Sequence, residues 1–266
     1  MDLNGEKIDL IPARRRSMIL ELIRQQTSVS VQELAQNVGV SLSTARRDLD
    51  ALSRLGFIER SHGGAGLPLA LGTAAELDLR ISAHFSHEEK KAIGRVAAEL
   101  LCDRQTVLFD SGSTVMEIAQ RVVEKGLRLT AVTNDVKMAG LFARSTAIQV
   151  VVLGGTMRPG SPILVGESGL GFLKSLHVDV SFIGIYAVKG ARLCETTIDL
   201  AVMKRGMLDA AEYGVLVADA GKFGATAFCD VCDVGKLDEI ITDSRLAAPR
   251  RRELEELGVK LRIASG

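Results

Sequence analysis

Residues 30–56, SVQELAQNVGVSLSTARRDLDALSRLG, carry two helical patterns that are separated by a three-residue turn. Ser30 and Glu33 have the spacing of a capping box, in which each residue satisfies a free backbone donor at the start of a helix. Gly39 can adopt the left-handed conformation that ends a helix, so the first helix is expected over 31–38. The pattern therefore predicts a short helix with well-defined ends.

The second helix of the pair has two chemically different faces. Ser41 is suited to the N-cap position, and the helix is expected to run from there to Leu55 and to end at Gly56. At about 100° per residue, apolar side chains fall on one side and polar or basic side chains on the other. The packing face is expected to contain Leu42, Ala45, Leu49, Leu52 and Leu55, and the polar face Ser43, Arg47, Asp50 and Arg54, with Thr44 and Arg46 flanking.

Two helices joined by a tight turn that contains glycine form the helix-turn-helix arrangement, which places the start of its second helix in the major groove of DNA. Arginine can bond guanine O6 and N7 in bidentate fashion, and hydroxyl groups can reach phosphates or bases. We expect contacts with DNA from the start of the second helix and from the segment behind it. The expected residues are Ser41, Ser43, Thr44, Arg46, Arg47, Arg60 and His62.

Elements on both sides of the pair complete this unit. Residues 57–60 are expected to form a strand, and the Gly-rich turn after them is a candidate wing. The same pattern also suits an interaction or dimerisation domain in which Arg46 and Arg47 only form a solvated face. A further helix is expected over 13–25, with an apolar face made by Met18, Ile19, Leu22 and Ile23.

The whole chain has 266 residues, with 33 Lys and Arg against 33 Asp and Glu. This length suits one large domain plus a small one, and the zero net charge excludes binding to nucleic acid or acidic membranes through bulk positive charge. No apolar run is long enough to span a membrane, and the four cysteines follow no apolar N-terminal stretch. We therefore expect a cytoplasmic protein with no membrane partner and no disulfide framework.

Two of the cysteines, Cys229 and Cys232, form a CxxC motif. No second Cys or His pair lies at the spacing of a zinc site, so structural zinc and redox chemistry are the less favoured interpretations. The four histidines are scattered along the chain. We expect no metal site, no cofactor and no catalytic residues.

From about residue 106 onward, β-branched and apolar runs alternate with helical patterns. Apolar strands that are separated by helices predict a parallel sheet with both faces covered. In such sheets, ligands bind at the carboxyl ends of the strands. The expected strands are Thr106–Phe109, Leu129–Thr133, Ile148–Leu153, Val180–Ile185, Val215–Ala218 and Glu239–Thr242.

Polar or glycine-rich residues follow four of these strands. Backbone amides at a helix start, glycine for close approach, and hydroxyl groups favour a phosphate or carboxylate, and a lysine can supply the countercharge. The nucleotide motifs GxxxxGK[ST] and GxGxxG do not occur, which leaves a smaller anionic, polar ligand. Each motif taken singly also suits a helix cap. The expected ligand contacts are Asp110, Ser111, Gly112, Ser113, Thr114, Thr133, Asn134, Gly154, Gly155, Arg158 and Lys222, with Asp219 beside them.

These motifs resemble a known family, the DeoR-type bacterial transcriptional regulators, over nearly the whole chain. In the N-terminal part the resemblance rests on VQELA at 31–35, TARRDL at 44–49 and RSHGGA at 60–65. In the larger part it rests on DSGST at 110–114, on DAGKFG at 219–224, and on Thr133-Asn134, Gly154-Gly155 and Phe182-Ile183-Gly184 between them. This combination of motifs is highly specific.

The resemblance implies a winged helix-turn-helix, expected over 11–66, a linker over 67–85 and a sensor domain over 86–266. The sensor would be an α/β domain with a mostly parallel sheet, similar to ribose-phosphate isomerase. The family further implies a repressor, not an enzyme, that binds double-stranded operator DNA as a homodimer or homotetramer and responds to a phosphorylated sugar. Two residues depart from the family pattern: Ala45 replaces Ile or Val, and Leu200 replaces a common Glu, for which Asp199 is the candidate substitute.

An enzyme remains the main alternative: a sugar-phosphate isomerase or deaminase with an N-terminal oligomerisation module. This activity requires a positioned base near the phosphate, and Asp110, Asp219 and Lys222 are available. A redox-responsive regulator that uses Cys229 and Cys232 is the third interpretation.

Overall fold

The computed structural model describes residues 12–26, 28–54, 56–61, 63–66, 86–224 and 227–265. The chain divides into two compact units, and the division falls between Ser86 and His87. His62 and the linker expected over 67–85 lie outside the described residues.

The first unit combines three helices with a small antiparallel sheet. The elements are α1 Pro12–Gln26, β1 Ser28–Ser30, α2 Val31–Val38, α3 Leu42–Arg54, β2 Glu59–Ser61 and β3 Gly64–Gly66. The strands lie in the order β1-β3-β2, and β2 and β3 form the expected wing.

Local capping sets the ends of α2 as the sequence predicts. The Ser30 hydroxyl accepts from the backbone amide of Glu33 at 3.2 Å, and the Glu33 carboxylate accepts from the amide of Ser30 at 3.0 Å. Gly39 has a φ of +72°, the left-handed conformation that ends the helix. The capping box and the C-cap are both confirmed, and they place a tight turn in front of α3.

Over its described residues, the packing face of α3 differs from the expectation at one position, and Leu55, which was expected on the same face, lies outside the described residues. Ala45, Leu49 and Leu52 are buried as expected, whereas Leu42 is 43% exposed. Asp48 completes the buried face instead, since its carboxylate accepts from Arg15 Nε at 2.5 Å and from Arg16 Nε at 3.0 Å. Two guanidinium groups of α1 thus make the burial of a charged residue of α3 tolerable and join the two helices.

Two further expectations for this unit were wrong in detail. Met18 is 37% exposed, and Leu20 of α1 is buried together with Ile19 and Ile23. Phe57 and Ile58 are also buried, but they precede β2, which begins at Glu59. Both apolar side chains belong to the core under the helices, and the wing strand starts only where the chain reaches the surface.

The second unit contains a seven-stranded, fully parallel sheet with the order β15-β14-β12-β9-β4-β5-β6. A three-stranded antiparallel sheet, β10-β11-β13, and the hairpin β7-β8 are appended to it. The elements are α4 His87–Ala98, β4 Thr106–Phe109, α5 Ser113–Lys125, β5 Leu129–Thr133, α6 Val136–Phe142, β6 Ile148–Val152, β7 Thr156–Met157, β8 Leu164–Val165, α7 Glu167–Leu173, β9 Val178–Ile183, β10 Ala187–Lys189, β11 Arg192–Glu195, α8 Ile198–Asp209, β12 Ala211–Val217, β13 Cys229–Asp233, β14 Glu239–Asp243, α9 Ala248–Glu256 and β15 Lys260–Ala264.

The strand order locates a topological switch point in this sheet. From β4 the chain first adds β5 and β6 on one side, and then continues on the other side with β9. Phe109, the last residue of β4, lies opposite both Thr133 of β5 and Phe182 of β9, so the three strands end at the same level. The expected parallel sheet is confirmed, and the crevice between the ends of β4 and β9 is where such folds bind ligands.

Three aromatic rings form the centre of the core beside this sheet. The rings of Phe109 and Phe142 lie 4.9 Å apart between centroids, and those of Phe109 and Phe182 lie 6.0 Å apart. All three side chains are fully buried. Helices α4 and α5 pack so closely over this sheet that a Cβ on Gly94 would lie 2.7 Å from the Cβ of Glu117.

This contact gives a test of the packing of α4 on α5. Gly94→Ala is expected to destabilise the protein by about 1–3 kcal/mol, because the new methyl group overlaps Glu117. Gly140→Ala in α6 is the matched control, since no heavy atom lies within 4 Å of the new methyl group. The control is expected to stabilise the protein by about 0.4–1 kcal/mol. Urea unfolding curves measure both changes, and equal effects of the two substitutions would contradict the packing.

Candidate functional site

The polar face of α3 is presented to solvent as the sequence predicts. Ser43, Arg46 and Arg47 are exposed, and Thr44 is half-buried. The exposed guanidinium groups lie in the first half of the helix, which is the part that reaches base edges in helix-turn-helix proteins. Their contact with DNA stays a prediction.

Three hydroxyl groups cluster at the start of α3. The Ser41 hydroxyl lies 2.9 Å from those of Ser43 and Thr44, and it accepts from the backbone amide of Thr44 at 3.2 Å. Ser41 is therefore the N-cap that the sequence predicts. The cluster brings three expected DNA contacts together and gives them a capping role as well.

Arg60 connects the wing with α3. Its Nε lies 3.3 Å from Asp50 Oδ1, and its Nη1 donates to the carbonyl oxygen of Gly64 at 3.4 Å. Asp50 is 57% exposed, so this pair is near solvent and can exchange partners. The arginine is available at the surface next to the polar face of α3, while His62 lies outside the described residues.

In the second unit, Lys204 of α8 joins the ends of the two strands at the switch point. Its Nζ donates to Asp110 Oδ2 at the end of β4 and, at 3.0 Å, to the carbonyl oxygen of Gly184 after β9. Glu195 Oε1 of β11 lies 3.5 Å from the same nitrogen. The amide of Gly184 also donates to Asp110 Oδ2, at 3.0 Å. All three charged side chains are at least nine-tenths buried.

The charges of this cluster are strongly coupled. Burial by itself would lower the pKa of Lys204, but the carboxylates of Asp110 and Glu195 outweigh it and hold the pKa above its usual value. One ammonium group faces two carboxylates, so the cluster offers no surplus positive charge. A bound anion at this edge must be balanced by other groups.

The start of α5 lies at the same edge of the sheet. Residues 110–114 follow β4 directly, and Gly112, with a φ of +128°, is the N-cap of the helix. Glycine has no side chain to cap the first amides of the helix, and free amides at a helix N-terminus bind phosphate readily. Asp110 and Ser111 are buried beside this end, and Ser111 Oγ lies 3.4 Å from Asp110 Oδ1.

Thr133 and Asn134 lie at the same level but have structural partners. Thr133 Oγ1 accepts from the amide of Asp135 at 3.1 Å, and Asn134 Nδ2 donates to the carbonyl oxygen of Leu164 at 3.0 Å. Asn134 Oδ1 is buried without a hydrogen-bond partner among the described residues. Of this pair, the Asn134 oxygen is the atom that remains to receive a donor from a ligand.

Gly154 and Gly155 allow the hairpin β7-β8 to fold against the sheet edge. A Cβ on Gly155 would collide with the backbone of Val165, and Gly155 has a φ of +140°. Arg158, half-buried, lies in the turn of this hairpin, where its amide donates to the carbonyl oxygen of Ile163 at 3.0 Å. The structure thus gives Gly155 a packing role, whereas a Cβ on Gly154 would meet no atom within 4 Å, and ligand contact by these residues stays a prediction.

Lys222 lies on the other side of the switch point, in the turn after β12. Its Nζ lies 5.4 Å from the ring centroid of Tyr186, which follows β9. Asp219 begins this turn and accepts from the amide of Gly221 at 3.1 Å. Asp243, at the end of β14, accepts from the amide of Ala220 at 2.7 Å and thereby holds the turn against the sheet.

Three charged residues near this turn, Arg245, Glu89 and Lys90, belong to no sequence motif. Arg245 Nε donates to Asp243 Oδ1 at 2.8 Å, and its Nη1 lies 3.1 Å from Glu89 Oε1 of α4. Lys90, also in α4, is 2% exposed. Burial lowers the pKa of Lys90 to about 8; the charge of Lys222 adds to this, and those of Asp219, Glu117 and Glu89 oppose it.

Lys204 and Glu195 were also missed. A single charge within the apolar segment Leu200-Ala201-Val202-Met203-Lys204 is the signal that could have found Lys204, because a buried lysine requires a partner. The expected substitute Asp199 is exposed, whereas Glu195 reaches the lysine from a different strand. Pairing across such a distance in sequence leaves no local pattern.

The cysteines of the CxxC motif lie in β13, opposite β11. Burial raises the pKa of Cys232 to about 11 and also raises that of Cys229. Among the described residues, no three His, Cys, Asp or Glu side chains come together as a metal site. In the same part of the chain, no helix combines the length and the apolar composition needed to cross a membrane.

Comparison with known families matches both units. Residues 15–69 match the DeoR-like helix-turn-helix domain, and residues 86–244 match the DeoR C terminal sensor domain. This chain belongs to the DeoR family of transcriptional regulators. The DNA-binding unit and the sensor unit are thus assigned, and the switch-point edge described above lies within the sensor.

Individual relatives agree with this assignment. The HTH-type transcriptional regulator GlpR of Haloferax volcanii is 36% identical over 94% of this chain and 97% of its own length. The glycerol-3-phosphate regulon repressor of Escherichia coli strain K12 is 29% identical over 87% of this chain and 90% of its own. Ribose 5-phosphate isomerase A from Neisseria gonorrhoeae is a distant structural neighbour, with a TM-score of 0.39 and 18% identity over 52% of this chain and 53% of that one.

The lowered pKa of Lys90 predicts a specific dependence of stability on pH. Between pH 8 and about 10.5, the unfolded chain binds a proton at this lysine that the folded protein has released. The stability of the wild type relative to Lys90→Met should therefore rise over this range, by at most about 1.4 kcal/mol per pH unit. Urea unfolding of both proteins at pH 7, 8.5 and 10 measures the difference, and a constant difference would contradict the burial of an ammonium group.

Proposed function

We propose that this regulator is a cytoplasmic repressor of a carbohydrate-utilisation operon, and that a phosphorylated sugar releases it from its operator. The observation that carries the proposal is the uncapped start of α5 at the topological switch point, within a chain that also has a DNA-binding unit. Such a helix start favours a phosphate group, and the switch point is where open α/β sheets bind ligands.

The remaining groups at this edge suit the rest of a sugar phosphate. Because Lys204 is neutralised by Asp110 and Glu195, the phosphate is balanced by the amides of α5 and by Lys222 in our proposal. The buried Asn134 Oδ1 offers an acceptor to a sugar hydroxyl, and Ser113 and Thr114 belong to the same proposed site on the basis of their motif. The E. coli relative, whose name refers to the glycerol-3-phosphate regulon, supports a small phosphorylated ligand.

Operator recognition is assigned to the start of α3 and to the wing. Arg46 and Arg47 would read base edges, and Ser41, Ser43, Thr44 and Arg60 would contact phosphates. The protein would bind as a homodimer or homotetramer, since paired half-sites suit a symmetric helix-turn-helix protein. His62 belongs to the same proposed surface on the basis of its motif.

An enzymatic role is the second candidate, and the buried carboxylates at the switch point are the observation that favours it. A sugar-phosphate isomerase needs a base that is poised to accept a proton from its substrate. Asp110 and Glu195 are instead paired with Lys204, and we therefore propose no catalytic activity. A redox switch at the CxxC motif is less favoured still, because the raised pKa of Cys232 keeps its thiol protonated and poorly reactive.

The proposal is tested by fluorescence anisotropy of full-length protein on operator DNA, at fixed salt, with a panel of sugar phosphates and their unphosphorylated parents. One phosphorylated sugar is expected to weaken DNA binding by about 5–150-fold, the range of ordinary allosteric coupling, and its parent is expected to have no effect. Conversion of a sugar phosphate into product by the protein would instead support the enzyme.

A matched pair of lysines sharpens this test. Lys222 and Lys236 both end a short 3-10 turn in which an aspartate accepts from the amide of the glycine before the lysine. Lys222→Met is expected to raise, by at least tenfold, the sugar-phosphate concentration that releases half of the bound DNA, because the substitution removes a countercharge of the phosphate. Lys236 lies in the turn before β14, away from the proposed ligand edge. The Lys236→Met variant should therefore respond as the wild type does. Equal responses of the two variants would remove Lys222 from the site.

A further inference from the structure

A leucine side chain is exposed at the first position of the recognition helix. Leu42 is 43% exposed, although Ala45 and Leu49 of the same helix are completely buried. Among the described side chains of the first unit, only Met18 is another large apolar residue with more than a third of its surface exposed. Single exposed leucines are ordinary on protein surfaces, so exposure alone does not indicate a role in binding. The position of Leu42 in the helix is the stronger indication.

That position is within the part of α3 that meets base edges. The helix begins at Leu42, and the N-terminal residues of a recognition helix are those that enter the major groove. Arg46 follows one helical turn later, so Leu42 and Arg46 are neighbours on the helix surface. An apolar group therefore stands next to the first arginine of the DNA-facing surface.

The polar groups around Leu42 form hydrogen bonds with one another. The hydroxyl groups of Ser41, Ser43 and Thr44 lie within 2.9 Å of each other in two pairs, and Ser41 also caps the helix. These bonds use two of the three hydroxyl protons, and we assign the remaining hydrogen-bonding capacity of the cluster to DNA phosphates. Contact with a base at the tip of the helix is then left to the apolar side chain of Leu42.

We infer that Leu42 is a specificity-determining residue that contacts the 5-methyl group of a thymine in the operator. This methyl group is the one apolar feature that base pairs of unmodified DNA display in the major groove. One turn of helix, about 5.4 Å, corresponds to between one and two base pairs. The thymine should accordingly lie within about two base pairs of the base that Arg46 contacts.

The inference rests on the DNA-binding role of the family and not on the identity of the effector. It is tested with duplexes that full-length protein selects from a random library. Each thymine of the selected sequence is then replaced by deoxyuridine, which removes the methyl group and leaves every hydrogen-bonding group in place. Wild-type affinity should fall about fourfold at one thymine of each half-site, the effect expected for one buried methyl-sized group.

Substitutions at position 42 complete a double-mutant cycle with the methyl group. Leu42→Ala should bind the thymine and deoxyuridine duplexes equally, with an affinity near that of the wild type for deoxyuridine. Leu42→Met keeps a long apolar side chain and should keep the preference. Met18→Ala removes the other exposed apolar side chain and should keep the full fourfold effect. Thermal unfolding of each variant confirms that the first unit is folded.

Three results would overturn the inference. The first is a wild type that tolerates deoxyuridine at every position, and the second is a Leu42→Ala variant that still prefers thymine. The third is a Leu42→Ala variant that loses stability and weakens on all duplexes alike, which would make Leu42 a packing residue. A selection that yields no preferred sequence would refute sequence-specific binding itself, whereas an absent response to sugar phosphates would refute only the proposed effector.

Discussion

The buried ammonium group of Lys204 holds the sensor unit together at the topological switch point of its sheet. It bonds Asp110 and the Gly184 carbonyl oxygen and lies near Glu195, so one side chain of α8 contacts residues that follow β4, follow β9 and end β11. Without it, two buried carboxylates would lose their countercharge, which commonly costs about 3–5 kcal/mol. The position of the α5 N-terminus, and hence of the proposed phosphate site, depends on this cluster.

The first unit uses a buried charge in the same way. Asp48 of α3 pairs with Arg15 and Arg16 of α1, as Asp110 pairs with Lys204, and in both units the paired carboxylate lies on or beside the helix that we propose as the binding element. Two guanidinium groups more than compensate Asp48, whereas Lys204 is shared by two carboxylates and compensates them only in part. The zero net charge of the chain is consistent with this design, because attraction arises from local groups and not from the molecule as a whole.

Sequence alone predicts the features that depend on near neighbours. The capping box at Ser30 fixes α2 over Val31–Val38, and continuous apolar runs fix β4 and β5 at their observed bounds. It fails where partners are distant: Lys204 and Asp110 are 94 residues apart, and Arg15 and Asp48 are 33 apart. Edge strand β15 was missed because its half-buried residues lack an apolar run, and Leu42 because helical periodicity takes no account of which neighbour covers a helix end.

The central claim is that one protein state binds the operator and another binds the phosphorylated sugar. Isothermal titration of the sugar phosphate that releases DNA, into free protein and into protein saturated with operator, tests this claim most directly. Operator DNA is expected to weaken sugar-phosphate binding by the same factor by which the sugar phosphate weakens operator binding, because the coupling free energy is shared. Equal affinity of the free and DNA-bound protein for the sugar phosphate would contradict it.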